Sequence, residues 1–403
     1  MVLMFLPASA FAADDQQVRV GGQWLGNATR SVTCGEGTAA YDPDTKTLTL
    51  TNATINHDYN AAIWNTVENL TIKLVGENSI SSGEQTGILN QQSRGLLTLT
   101  GDGSLKITVT EGNAIYVNDG SLLIKDTTVK VSSAASNACA VFADKGIEIS
   151  GSTLESAIAN GNAIYTPGNL KIENSNVTTS NDNANGGDYP AIWCASNITI
   201  NGGQLKSTCK GGTALGAKGT LSITDCTVEN EGGYTALYSE GKMTLTGGSI
   251  TAEAEDNAIM SRSAMTITHA TVKATAQNYN ALRASDVMKI DGGRVEATTV
   301  LYDEETYAIH MQPMDDGNNG RMEIGGGVEL YVKGYSGIYV GEEATIEDAH
   351  IVIDSDDCSI DMPVKFAEGY DIALALGGDS MENAEPFDCV GLSMMRYTVG
   401  AEA

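Results

Sequence analysis

The sequence predicts an all-β chain wound as a right-handed parallel β-helix, and three observations lead there. A short phrase keeps returning: a small residue, a branched or Leu residue, then often an aromatic. It reads Ala114-Ile115-Tyr116, Ala140-Val141-Phe142, Ala163-Ile164-Tyr165, Ala191-Ile192-Trp193 and Ala236-Leu237-Tyr238, with Ala281-Leu282-Arg283 and Ala308-Ile309-His310 further on. Looser copies stand at Ala62-Ile63-Trp64 and Gly337-Ile338-Tyr339. From Ile192 the branched position recurs at Leu215, Leu237, Ile259 and Leu282, in steps of 23, 22, 22 and 23 residues. A fixed period in this range marks a solenoid or a propeller.

The second observation is an alternating phrase a few residues later, apolar-x-apolar and then one more branched residue after a turn. Leu170 and Ile172 with Val177, Leu221 and Ile223 with Val228, and Met265 and Ile267 with Val272 are examples. Period two means strands with one face inward. The third is the turn chemistry between them: Asn201-Gly202-Gly203, Thr246-Gly247-Gly248 and Asp291-Gly292-Gly293 supply residues suited to positive φ. A propeller blade needs ~40–45 residues, and no helical stretch of a leucine-rich or ankyrin repeat is present. One coil cannot bury enough apolar surface to offset the ordering of its backbone, so the copies must stack. Stacking would place Leu170, Ile198, Leu221, Met243, Met265, Met288 and Met322 in one inner column, with the methionines filling irregular core space.

Taken in order, residues 1–12 read as the remnant of a signal peptide. A short apolar run ends in Ala10 and Ala12, an A-x-A cleavage signature ahead of Ala13-Asp14-Asp15, and export follows from it. Residues 13–57 read as an N-terminal cap. Ala39–Tyr41 and Thr47–Leu50 flank Asp42-Pro43-Asp44-Thr45-Lys46, with Pro where a type I turn takes it, so a hairpin is expected. An antiparallel cap would blunt the open edge of the first coil. Residues 58–368 are the parallel β-helix, on the order of a dozen coils. Residues 369–403, with strand-like stretches at 372–376 and 395–399, form a closing cap.

Val20-Gly-Gly-Gln-Trp24, followed by Tyr41-Asp-Pro-Asp-Thr-Lys-Thr-Leu-Thr-Leu-Thr-Asn-Ala-Thr-Ile55, resembles the opening module of secreted and surface proteins of anaerobic bacteria. Those proteins run on into a pectate-lyase-like β-helix and often carry the label of carbohydrate-binding domain proteins. The resemblance implies a β-helix that is secreted or held at the cell surface, with a glycan-related or adhesin-like role. It implies no catalytic residues.

The chain has 403 residues and a net charge of −28, with 45 glycines against 7 prolines. So acidic a balance argues against nucleic acid or an anionic membrane as partner, because phosphate binding runs on Lys and Arg. No stretch reaches the ~18 apolar residues of a membrane-spanning helix. Seven cysteines, at 34, 139, 194, 209, 226, 358 and 389, show no zinc spacing, and buried free thiols are expected. A disulfide such as Cys194 with Cys209 is the alternative.

Two places offer chemistry. If the branched residue of each phrase points inward, the next points out. That slot holds Trp64, Tyr116, Phe142, Tyr165, Trp193, Tyr238 and Tyr339, with Arg283 and His310 among them. Aromatics make up only 6% of the chain, so their concentration in one slot needs a cause. A platform for the apolar faces of sugar rings is one cause; plain stabilisation of the sheet by stacked rings is the other. The second place is the acidic group Asp303, Glu304, Glu305, Asp315 and Asp316, in inserts on either side of His310. Such oxygens suit Ca²⁺, and a solvated acidic loop is the plainer reading; no other cofactor is expected.

Polygalacturonase-type enzymes of this fold carry Asn-Thr-Asp, a catalytic Asp-Asp, Gly-His-Gly and Arg-Ile-Lys. The first, third and fourth are missing here, and the Asp-Asp pairs at 14–15, 315–316 and 356–357 lack that setting. The four histidines at 57, 269, 310 and 350 form no zinc pair and no hydrolytic triad. The sequence therefore points to a non-enzymatic secreted or surface protein that binds a polysaccharide, a cell-surface glycan or a host surface. A polysaccharide lyase or glycoside hydrolase acting on acidic glycans near Arg283 and His310 is the alternative from another class, and a passive spacer the third.

Overall fold

The computed structural model describes residues 17–367 apart from 59, 84–85, 92–94, 185–188, 302–305 and 312–319, together with the strands Ile372–Leu376, Glu385–Pro386 and Ser393–Thr398. The described residues contain strands and turns with no helix, so no helix among them is long and apolar enough to cross a membrane. The strands stack in parallel as a β-solenoid of about 13 turns.

Each coil contributes a strand to three faces. The recurring phrase forms the first: Ile63–Asn65 pairs with Ile88–Asn90, that with Ile115–Val117, and so on upward. The register is strict where the period is strict. Ile164 lies on Ile192, Ile192 on Leu215, Leu215 on Leu237 and Leu237 on Ile259. The alternating phrase forms the second face, where Leu170, Ile198, Leu221, Met243, Met265, Met288 and Met322 make the expected inner column. All seven are buried. The branched residue after the turn begins the third face, with Val177 on Leu205, Val228 and Ile250 above.

The turn between the second and third faces has its own column. Asp126, Gly151, Asn174, Gly202, Asp225, Gly247, His269, Gly292 and Gly326 all have φ between 47° and 69°. This left-handed conformation costs most residues ~1–2 kcal/mol, and only Gly and a few short polar side chains visit it routinely. From Asp126 to Gly292 the column alternates, a side chain on one coil and Gly on the next. The reason is steric as well as conformational: a Cβ at Gly247 would collide with the Asp225 carboxylate, and one at Gly202 with the Asn174 amide.

At the lower end, Gly37–Asp42 and Thr47–Thr51 are antiparallel across Pro43–Lys46, and Thr47–Thr51 then starts the second face by pairing in parallel with Thr71–Val75. Val18–Val20 runs antiparallel to both Gln23–Leu25 and Ile63–Asn65, so it covers the edge of the first face. At the upper end, Ile372–Leu376 adds one more parallel strand to the third face, and Ser393–Thr398 pairs antiparallel with Cys358–Phe366. Cys34, Cys139, Cys194, Cys209 and Cys226 carry free thiols, so Cys194 and Cys209 are not joined. Burial pushes the Cys139 thiol up to about 12 and Cys226 up to about 11, against weaker backbone hydrogen bonds, so both are unreactive near neutral pH.

Because each coil is held by the coils above and below, Leu237→Ala in the middle of the first-face column should cost about 2–5 kcal/mol. Lys206→Ala, which removes only an exposed ion pair with Glu229, should cost under about 1 kcal/mol. Urea unfolding of the two variants checks the contrast; equal losses would mean the column does not carry the stability.

Candidate functional site

On the first face, the residue after each buried branched position points outward and packs on its counterparts in neighbouring coils. Trp64, Leu89, Tyr116, Phe142, Tyr165 and Trp193 stand one above the other in register. Gly216, Tyr238, Met260, Arg283, His310 and Tyr339 continue the same column. Every predicted member of the glycan-binding slot therefore lies on one line, and each of them is half-buried. The rings use one another as cover. Tyr116 and Phe142 stack with centroids 4.9 Å apart and planes 16° from parallel, and Tyr165 packs on Phe142 at 5.5 Å and 51°.

Gly216 interrupts the ring series but not the contact. Trp193 and Tyr238 are two coil steps apart, which at strand spacing is ~9.6 Å, yet their centroids are 6.2 Å apart with planes 20° from parallel. Trp193 leans into the space where Gly216 has no side chain; a Cβ there would lie 2.5 Å from Cζ3 of the indole. Glycine in this slot thus lets Trp193 and Tyr238 meet across the coil between them.

The upper part of the column is different in character. Met260 is buried, and above it Arg283 makes no hydrogen bond or ion pair with a described residue, its shielded Nε included. Burial, and then the neighbouring Arg262 guanidinium, hold the Arg283 pKa below its usual value. His310 sits on Arg283 and beneath Tyr339, 5.1 Å between ring centroids. Its imidazole is pushed down to about 4, by burial first and by Arg283 second, so the ring is neutral at pH 7. Its Nδ1 is shielded and has no hydrogen-bond partner among the described residues.

Two aromatics belong here that sequence reasoning did not place. Trp24 is 43% exposed and packs on Trp64 at 5.9 Å, extending the column past the antiparallel strand Val18–Val20. No periodicity points to it, because it lies outside the repeat. Tyr307 stands beside the column, parallel to His310 within 8° at 5.9 Å, and its hydroxyl donates to Asp361 at 3.1 Å. It lies one residue ahead of Ala308-Ile309-His310, so the recurring phrase does not include it, although the strand Tyr307–Met311 begins there.

The candidate calcium ligands Asp303, Glu305, Asp315 and Asp316, with Glu304, lie outside the described residues. Among the described residues no three His, Cys, Asp or Glu side chains are gathered as a metal site. A groove of about 350 Å³ near the end of the third face is lined by Lys210, Glu231, Glu253 and Glu255, with no aromatic ring in its wall.

Residues 214–371 match the model of a family described as carbohydrate-binding domain-containing protein. That stretch takes in the upper column from Gly216 through Tyr238, Arg283 and His310 to Tyr339. No curated protein and no solved structure matches the chain.

The low value for His310 fixes a pH dependence. The folded pKa of about 4 lies below the ordinary 6.5, so between these values the unfolded chain binds a proton that the folded chain does not. This contribution to stability is complete above pH 6.5, falls as pH drops toward 4 and is constant below that. His310→Gln should therefore lose less stability than the parent between pH 7 and pH 4, and ring protons of His310 should titrate near 4 by NMR. A midpoint near 6.5 would show the imidazole to be open to water.

Proposed function

We propose that the protein binds carbohydrate along the outward column of its first face. The observation that carries this is the column of half-buried rings from Tyr116 to Tyr238, in register coil on coil with Gly216 between Trp193 and Tyr238, on one face of a chain that is only 6% aromatic. Sugar rings present apolar C–H faces, and the outward edges and uncovered parts of rings held by their neighbours offer them contact area with little further loss of conformational freedom. A row of such ring edges at ~4.8 Å intervals suits an extended polymer better than a compact ligand. The family match over residues 214–371 supports carbohydrate binding, and of these rings it takes in Tyr238.

Stacking between the rings themselves also stabilises the sheet, and the two roles are compatible. Rings fixed by their neighbours are already arranged for the ligand. A secreted or cell-surface, adhesin-like setting accords with the Ala10 and Ala12 cleavage signature and with a net charge of −28. In that setting the solenoid would hold a long binding edge clear of its anchoring surface.

Tyr165→Ala with Trp193→Ala should abolish retention on glycans while leaving cooperative unfolding in place, as read by a glycan array and by circular dichroism. Unchanged binding by the double variant would remove the column from the binding surface.

A further inference from the structure

Most cations of the second and third faces are matched. Lys206 pairs with Glu229 at 3.1 Å, Arg294 with Glu329 at 3.0 Å and Lys333 with Asp354 at 2.7 Å, each across adjacent coils. Arg283 is the exception in the most desolvated setting: half-buried, flanked by Met260 and His310 in its column, and without a described partner. Arg262 stands near enough to depress it, and both occur in a molecule carrying 51 acidic residues. With acidic side chains so abundant, a guanidinium left in this state is conspicuous. A partly desolvated charge without a counter-ion costs stability. His310 adds no charge at neutral pH; Arg262 acts on Arg283, Glu240 acts on the adjoining Tyr238, and Asp361 follows Tyr339 in register in the same column.

Resting on the carbohydrate-binding reading, we propose that the column from Tyr238 to Tyr339 is a subsite for acidic sugars, in which Arg283, aided by Arg262, receives the carboxylate of a uronate-type residue. Arginine fits this role because its planar fork pairs with a carboxylate through two parallel N–H···O bonds. Tyr238 below and His310 with Tyr339 above supply ring faces on either side of the guanidinium, so a sugar can stack while its carboxylate reaches Arg283. The lower run from Tyr116 to Trp193 has no cation in its column and selects only for ring faces. One edge would then combine a neutral track with a charged register point.

The test uses the full chain in native affinity gels containing either polygalacturonate or its fully methyl-esterified form, which keeps the ring and removes the charge. The expected result is retention about tenfold stronger by the carboxylated polymer, weakening as salt is raised. Arg283→Gln should erase that preference, and Arg262→Gln should reduce it. Arg283→Lys, which keeps charge but loses the fork, should fall between. Thermal unfolding of each variant shows whether the fold is kept, and the more exposed Arg262→Gln carries the test if Arg283→Gln unfolds. Equal retention of both polymers, or a preference that survives both substitutions, overturns the acidic subsite and leaves the aromatic track standing. Retention of neither polymer, nor of any neutral glycan, overturns the subsite and the carbohydrate reading together.

Discussion

Everything in this molecule depends on coils lying in register, so that each residue sits above its counterpart one strand spacing away. That constraint explains the inside and the outside at once. Inward it produces columns of like apolar side chains, Ile164 on Ile192 on Leu215 on Leu237, all fully buried. Outward it brings side chains into contact that are some 23 residues apart in sequence, ring on ring on the first face and charge on charge on the others. The turn column shows how demanding the register is. Successive left-handed residues alternate between Asp, Asn or His and Gly, because a side chain beneath needs empty space above.

Much of this was legible in the sequence, and the reason is physical. A period of 22 or 23 residues with internal alternation has few ways to bury its apolar positions, and stacking is the one that leaves no strand unpaired. The inner methionine column and the outward ring column follow by counting. The places where counting stops are the places where the reading fell short. Trp24 joins the column through an antiparallel strand that belongs to no repeat. Tyr307 precedes its phrase by one residue and was hidden by the inserts around it. The role of Gly216 depends on which way the Trp193 ring leans, which periodicity does not encode. The hydrogen bond between the buried amides of Asn65 and Asn90, on adjacent coils, was not anticipated either.

Charge divides the surface as sharply as shape does. Exposed pairs such as Lys206 with Glu229 add little stability each, but they neutralise the second and third faces locally. The first face has stacked rings instead, and near its upper end Arg283, which has no counter-ion among the described residues. A polymer lying along this edge would meet apolar contact over most of its length and a guanidinium toward each end, Arg19 in register with Trp64 below and Arg283 above. Binding by such a surface gains from many small contacts, so its strength should grow with the length of the glycan.

Hydroxyl-radical footprinting with and without a bound oligosaccharide tests the central claim most directly, since it reads each ring separately. The account predicts protection at Tyr116, Phe142, Tyr165 and Trp193, with Tyr234 and Tyr279, which are 59% and 53% exposed and lie off the column, unchanged. Protection centred on Tyr234 and Tyr279, or bound glycan with no protection along the column, would contradict it.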